Sequence, residues 1–226
     1  MIFFLLAAFF FAQQDQTPRP LLKVDPVYFD LAANTGGDLY LWAPGEFAAS
    51  HLQVPLHHEN VVLSYGSIES EKTFDIPVES GVKELTVFAA IERKDLAVLV
   101  RPDGTVAQDV QSFHHMLIAS VKAPATGVWR LELHGAGKYA MTAHVNAADD
   151  GPRMGKIDAS SCEVSVSGSV KDVQVMFVGR DGSLIRIAGS GDCTLPDLPF
   201  RVAIRGTDSN GAAFQRIESH LSKQTK

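Results

Sequence analysis

The chain has 226 residues and a formal net charge of −6, from 26 acidic and 20 basic residues. This acidic balance, with the two signs interspersed, argues against nucleic-acid binding, which needs a basic surface. Hydrophobic residues make up 46% of the chain, which is enough to build one large domain or two small ones.

The chain begins with an uncharged apolar run, residues 1–12, followed by polar residues. The run suits the core of a signal peptide and falls short of the ~20 residues that a membrane-spanning helix needs. It predicts a cleavable signal peptide and an exported protein, periplasmic or extracellular. An uncleaved anchor is the alternative, because no Lys or Arg precedes the run. Residues 13–36, with Pro18, Pro20 and Pro26, predict an extended tether.

Residues 37–148 predict a first β-sandwich module. Short runs rich in β-branched and aromatic residues follow one another, with turn sequences and no amphipathic helix between them. This spacing is typical of an antiparallel sandwich. The predicted strands are 38–43, 61–65, 72–78, 84–91, 96–100, 116–121, 127–133 and 138–145.

Residues 149–159 carry Asp-Asp-Gly-Pro and predict a linker, and residues 160–222 predict a smaller second module. The fold class is therefore predicted as all-β: two tandem antiparallel β-sandwich modules, Ig-like or jelly-roll-like, after an N-terminal signal peptide. The strands predicted for the second module are 163–167, 173–178, 184–187, 200–205 and 213–217.

The two cysteines, Cys162 and Cys193, both lie in the second module. In an oxidising compartment this pattern predicts a structural disulfide, which a module of this size would need most. Two separate buried thiols are the alternative.

Several segments together resemble the region that follows the von Willebrand A domain in hemicentin-type extracellular proteins and their bacterial relatives. The resemblance implies an extracellular architectural sandwich without enzymatic activity. The chain lacks the A domain and its Asp-x-Ser-x-Ser motif, so metal-dependent adhesion is not implied. The first module also resembles the accessory sandwich of secreted bacterial peptidases. The segments that carry the first resemblance are 74–78, 82–87, 100–104, 123–129, 137–139, 200–208 and 214–216.

Two adjacent histidine pairs, 57–58 and 114–115, raise the question of a metal site. One imidazole from each pair, together with His51 or Glu59, would suit zinc. The chain has no His-Glu-x-x-His or His-x-His spacing, so exposed loop histidines are the favoured interpretation and no metal or other cofactor is predicted.

Two further loop motifs have ordinary structural explanations. Gly189-Ser190-Gly191 is similar to a serine-protease loop but lacks the full motif, and no catalytic residue is predicted. The loops at 149–151 and 208–211 offer oxygen atoms that calcium would accept, yet their residues are ordinary turn formers.

Among the aromatic residues, Trp42 is the candidate ligand contact, because it precedes Pro44-Gly45 near a predicted strand end. Alternation places Trp129 in the core. Arg216 shares a face with Phe214 and is interpreted as structural, paired with Asp208 or Glu218.

The sequence thus predicts a non-enzymatic exported interaction or spacer protein. Its partner would be an unknown protein or a polysaccharide at the envelope, with membrane contact only through an uncleaved signal segment. A carbohydrate-binding module that uses exposed aromatics is one alternative. A histidine-based metal-dependent enzyme is the other.

Overall fold

The computed structural model describes residues 24–43, 45, 58–158, 163–179, 184–187 and 200–220. These residues form one short helix and twelve strands, so the predicted all-β class is confirmed. No helix in these ranges is long and apolar enough to cross a membrane. The elements are α1 (Pro26–Thr35), β1 (Glu59–Ile68), β2 (Glu71–Val78), β3 (Glu84–Val100), β4 (Val110–Ser112), β5 (Met116–Lys122), β6 (Gly127–Asn146), β7 (Arg153–Asp158), β8 (Glu163–Ser167), β9 (Val170–Val178), β10 (Leu184–Ile187), β11 (Phe200–Asp208) and β12 (Ala213–His220).

Helix α1 stands where an extended tether was predicted, and that prediction is wrong for these residues. The Asp25 side chain accepts a hydrogen bond from the Val27 amide at 3.0 Å, and Pro26 occupies the first turn. Gly36, at φ 71°, closes the helix by donating its N–H to the Ala32 carbonyl.

The strand predicted at 38–43 is also absent, because this segment contacts the sheet through side chains instead of ladder hydrogen bonds. The Asp38 carboxylate accepts hydrogen bonds from the Thr142 hydroxyl and, at 2.9 Å, from His144 Nε2. The Tyr65 hydroxyl donates to the Gly37 carbonyl at 3.0 Å. The segment therefore lies over β1 and β6 without joining them.

The first sheet has the order β1-β6-β3-β5-β4, with β2 paired to the first half of β6. Strands β3 and β6 pair along nearly their whole lengths, with register shifts around Arg93 and Lys94. At this bend a Cβ on Gly135 would collide with the Arg93 carbonyl oxygen. Residues from both halves of β3 and of β6 belong to one buried hydrophobic cluster, so the sheet bends around its own core.

The second part of the chain forms a four-stranded sheet, β10-β9-β11-β12, and a two-stranded sheet, β7-β8. Strand β7 lies within the predicted linker 149–159, so that linker is shorter than expected. Phe177, Phe200 and Val202 form a small core that packs against Met154, Ile157 and Val164 of the two-stranded sheet.

The two sheet units share a third hydrophobic cluster. Helix α1 contributes Phe29, β1 contributes Leu63 and β3 contributes Phe88, while Met176 and Ile217 come from the four-stranded sheet. The outer face of the first sheet is therefore covered by the helix and by the second unit.

A buried ion-pair network lies at the same boundary and corrects the partner predicted for Arg216. Its guanidinium binds Glu79, with one N···O distance of 3.2 Å, and also Glu59. The network joins the two units, since Glu59 and Glu79 belong to the first and Arg216 to β12. Sequence proximity had favoured Asp208 or Glu218, whereas β12 packs beside β1 and β2.

Asp208 makes a second polar link between the units. Its carboxylate accepts hydrogen bonds from the amides of Ser80, Asn210 and Ala212 at 2.8–2.9 Å. Burial alone would raise the pKa of this carboxyl, but the hydrogen bonds outweigh it and lower the pKa below its usual 3.8.

Replacing Asp208 with asparagine is expected to lower the free energy of unfolding at pH 5 by about 1–3 kcal/mol. Because the folded pKa is below the unfolded one, the carboxylate's contribution is complete above about pH 4 and is lost as the pH falls through the folded pKa. Urea unfolding should therefore show that the difference in the free energy of unfolding between wild type and Asp208→Asn is smaller at pH 3 than at pH 5. A difference that stays constant would contradict this account. The exposed Asp95→Asn serves as the control.

Candidate ligand-binding groove

An open groove of about 330 Å³ lies where the edge of the first sheet meets the four-stranded sheet. Strands β1 and β2 each pair with β6 alone in the described part of the chain, which leaves their other edges facing the second unit. This volume is at the lower end of the range for small-ligand pockets, ~300–1,000 Å³. The lining residues are Val62, Leu63, Ser64, Lys72, Phe74, Asp75, Met176, Val178, Leu184, Ala203, Arg205, Gln215 and Ile217.

Strand alternation explains why these residues meet. On β9, Met176 and Val178 point to the same face, and on β12 Gln215 and Ile217 do so. That face of the four-stranded sheet lies against the first unit, so its side chains form one wall of the groove. The wall is mainly apolar.

Three polar side chains form a chain of hydrogen bonds at the first unit's wall. Lys72 Nζ donates to the Tyr139 hydroxyl at 2.6 Å, and the Tyr139 hydroxyl lies 3.0 Å from Ser64 Oγ. The Lys72 ammonium also sits 5.0 Å from the centroid of the Tyr139 ring and 5.6 Å from that of Phe74. Ser64 and Lys72 line the groove, whereas Tyr139 is buried behind them.

On the opposite wall, Gln215 holds Arg205 in place. Arg205 Nε donates to the Gln215 side-chain oxygen, and the Gln215 amide nitrogen donates to the Val61 carbonyl. Arg205 is exposed at the rim and Gln215 is buried.

Among the described residues that line the groove, the two cations are Lys72 and Arg205. Within the described ranges, neither Lys72 nor Arg205 forms an ion pair with a carboxylate. Asp75, the one acidic residue of the lining, is exposed and pairs with neither of them. The groove therefore presents two positive groups above an apolar floor.

Trp42, the candidate ligand contact, lies outside this groove. Its ring stacks 6.4 Å from that of Tyr40 and meets the Phe113 ring edge-on at 4.8 Å. Burial and the nearby Asp38 carboxylate raise the pKa of Tyr40 to about 12, so its hydroxyl stays protonated. Trp42 is half-buried in this aromatic group, and its role as a ligand contact stays a prediction.

The histidine site considered as an alternative is not assembled in the part of the chain that the structure covers. No group of three or more His, Cys, Asp or Glu side chains there lies together to hold a metal. His58 Nε2 lies 3.9 Å from Glu84, and the rings of His114 and His115 are 6.4 Å apart. His51 and His57 lie outside the described residues, as do Ser190, Cys162 and Cys193, so the predicted disulfide stays a prediction.

The two loops considered for calcium do meet, around a smaller cavity of about 190 Å³ that both Asp150 and Asp208 line. However, both oxygens of Asp208 already accept backbone N–H groups. Asp149 pairs with Lys83 at 2.8 Å. The carboxylate of Asp208 is therefore already hydrogen-bonded to the backbone on both oxygens.

No family model and no curated protein matches the chain. Among solved structures, the chain is similar to the lipase BlEst2 of Bacillus licheniformis in its propeptide form, at 14% sequence identity and a TM-score of 0.48. The match covers 77% of this chain and 43% of the lipase chain, so it spans less than half of that protein.

The solved structure that resembles the chain is described as a lipase, so the comparison gives no support to the expectation of a non-enzymatic interaction or spacer protein, and that expectation is dropped. A likeness at this level does not bring lipase activity to the present chain.

Sequence reasoning missed all the polar residues of the groove. Ser64, Lys72 and Tyr139 all lie in predicted strands whose patterns give no sign of a shared site. One feature of the sequence could have pointed to the groove. Lys72 shares a strand face with the buried Phe74 and Ile76, so its positive charge lies at the edge of the core.

Proposed function

We propose that the groove binds a small organic anion with an apolar tail, of the medium-chain carboxylate class. The observation that carries this proposal is the pair of cations, Lys72 and Arg205, without carboxylate partners above an apolar wall. A carboxylate would supply the negatively charged partner that neither cation has among the described residues.

The two parts of such a ligand match two parts of the groove. The carboxylate would accept hydrogen bonds from Lys72 and Arg205, and bonds to charged groups contribute about 1.5–3 kcal/mol each. The tail would lie against Met176, Val178 and Ile217, where each buried methylene contributes about 0.8 kcal/mol.

We further propose that this binding takes place outside the cytoplasm, as the apolar residues 1–12 favour export. The finer description of the fold, two tandem β-sandwich modules, belongs to the same proposal. It is supported by the bent first sheet and by the small core between the two sheets of the second unit.

Isothermal titration calorimetry tests the binding proposal. Wild type is expected to bind octanoate and to bind octylammonium at least ~10-fold more weakly, because the cations repel it. Lys72→Met is expected to weaken octanoate binding ~10-fold or more, since it removes one charged hydrogen bond and keeps the apolar stem. Lys171→Met, at an exposed position on β9 outside the lining, is the matched control. Equal affinity of wild type for the anion and the cation would overturn the proposal.

A further inference from the structure

The hydrogen bonds between Lys72, Tyr139 and Ser64 have a definite direction. An ammonium group has no lone pair, so in the 2.6 Å contact Lys72 donates and the Tyr139 oxygen accepts. The Tyr139 hydroxyl can then donate one hydrogen bond of its own. In the part of the chain that the structure describes, the other partner of the Tyr139 hydroxyl is Ser64 Oγ, at 3.0 Å.

Burial decides where that phenol proton goes. Tyr139 is only 1% exposed, so water does not readily take its proton. If Ser64 donated to Tyr139, the phenol proton would be buried without an acceptor, which is unfavourable. Tyr139 therefore donates to Ser64, and the chain runs from Lys72 through Tyr139 to Ser64.

The last proton of this chain belongs to the Ser64 hydroxyl, and Ser64 lines the groove. Within the described residues, this hydroxyl has no other hydrogen-bond partner. A hydroxyl that accepts from a neighbour polarised by a cation becomes a stronger donor. Ser64 is thus equipped to donate to a bound group.

We propose that Ser64 is the residue that recognises the ligand's head group, and that Tyr139 is a positioning residue that directs the Ser64 proton into the groove. This inference rests on the proposed function and makes it narrower. Ser64, Lys72 and Arg205 would all donate, so the site selects a head group with acceptors only. A carboxylate meets this requirement, and the terminal amide of a neutral analogue does not, because its NH2 group would face donors.

The test compares octanoate with octanamide by calorimetry. Wild type should prefer octanoate by ~10-fold or more, and Ser64→Ala should reduce octanoate affinity about 5- to 10-fold and shrink the preference. Ser64→Thr keeps a hydroxyl on the same strand position and should stay within about 2-fold of wild type. Tyr139→Phe, if its thermal midpoint shows that it folds, should shrink the preference as Ser64→Ala does.

The outcomes separate the two proposals. If wild type binds octanoate but Ser64→Ala binds it equally well, or keeps the full preference over octanamide, the role of Ser64 is overturned and the anion site stands. If wild type does not bind octanoate at all, the proposed function falls, and the inference about Ser64 falls with it.

Discussion

Replacing Arg216 with alanine is expected to destabilise the fold by about 3–5 kcal/mol, because it leaves a buried carboxylate without its partner. Glu79 is 1% exposed, and its carboxylate accepts hydrogen bonds from both terminal nitrogens of Arg216. The network also holds Glu59, so its loss loosens the contact between β12 and the first unit. Urea unfolding, followed by tryptophan fluorescence, measures the change directly.

Arg130→Ala is the matched control for this substitution. Arg130 also pairs with a glutamate, Glu132, but both side chains reach solvent. An exposed pair contributes ~1 kcal/mol or less, so this variant should remain close to wild type. If Arg216→Ala were as mild as Arg130→Ala, the buried network would not be what holds the units together.

Replacing Trp129 with alanine, as a separate single substitution, is expected to lower the free energy of unfolding by about 3–5 kcal/mol. Trp129 is 1% exposed within the core of the first sheet, and its indole N–H donates to the Ala125 carbonyl at 2.8 Å. The substitution would leave a cavity and an unbonded carbonyl, since the surrounding strands are held in register by β2 and β3.

The neighbouring residue on β6 is the control for this prediction. Val128 is 48% exposed on the opposite face of the strand, so Val128→Ala should change stability by ~0.5 kcal/mol or less. A one-residue register slip would exchange the two faces. Similar effects of both substitutions would therefore contradict the strand register described above.

Trp129 also illustrates what the sequence could predict about this fold. Alternation along a single strand is local information, and it correctly placed Trp129 inward and most strands of the first sheet. The cap residues of α1, Asp25-Pro26 and Gly36, are also a local pattern from which a helix could have been predicted. The nearby prolines favoured an extended segment instead.

The groove could not be predicted in the same way, because it depends on pairing between distant segments. Tyr139 lies 75 positions from Ser64 and 67 from Lys72. Strand β6 alone brings them together, since its first half pairs with β2 and its second half with β1. Arg205 reaches the groove only because the second unit packs across these edges.

The partner of Arg216 was missed for a related reason. Alternation put Arg216 on the same buried face as Phe214, but it carries no information about which strand lies beside that face. Glu59 and Glu79 lie 157 and 137 positions away. Such a contact follows from the docking of two sheet units, which local patterns do not encode.

The most direct test of the groove as an anion site is methyl NMR on wild type labelled at Met, Leu and Val during titration with octanoate. The account predicts saturable shifts at groove methyls, chiefly Met176, Val178 and Val62, and none at Val27, which is exposed on α1. Shifts centred elsewhere, or none at octanoate concentrations that saturate the calorimetric signal, would contradict it.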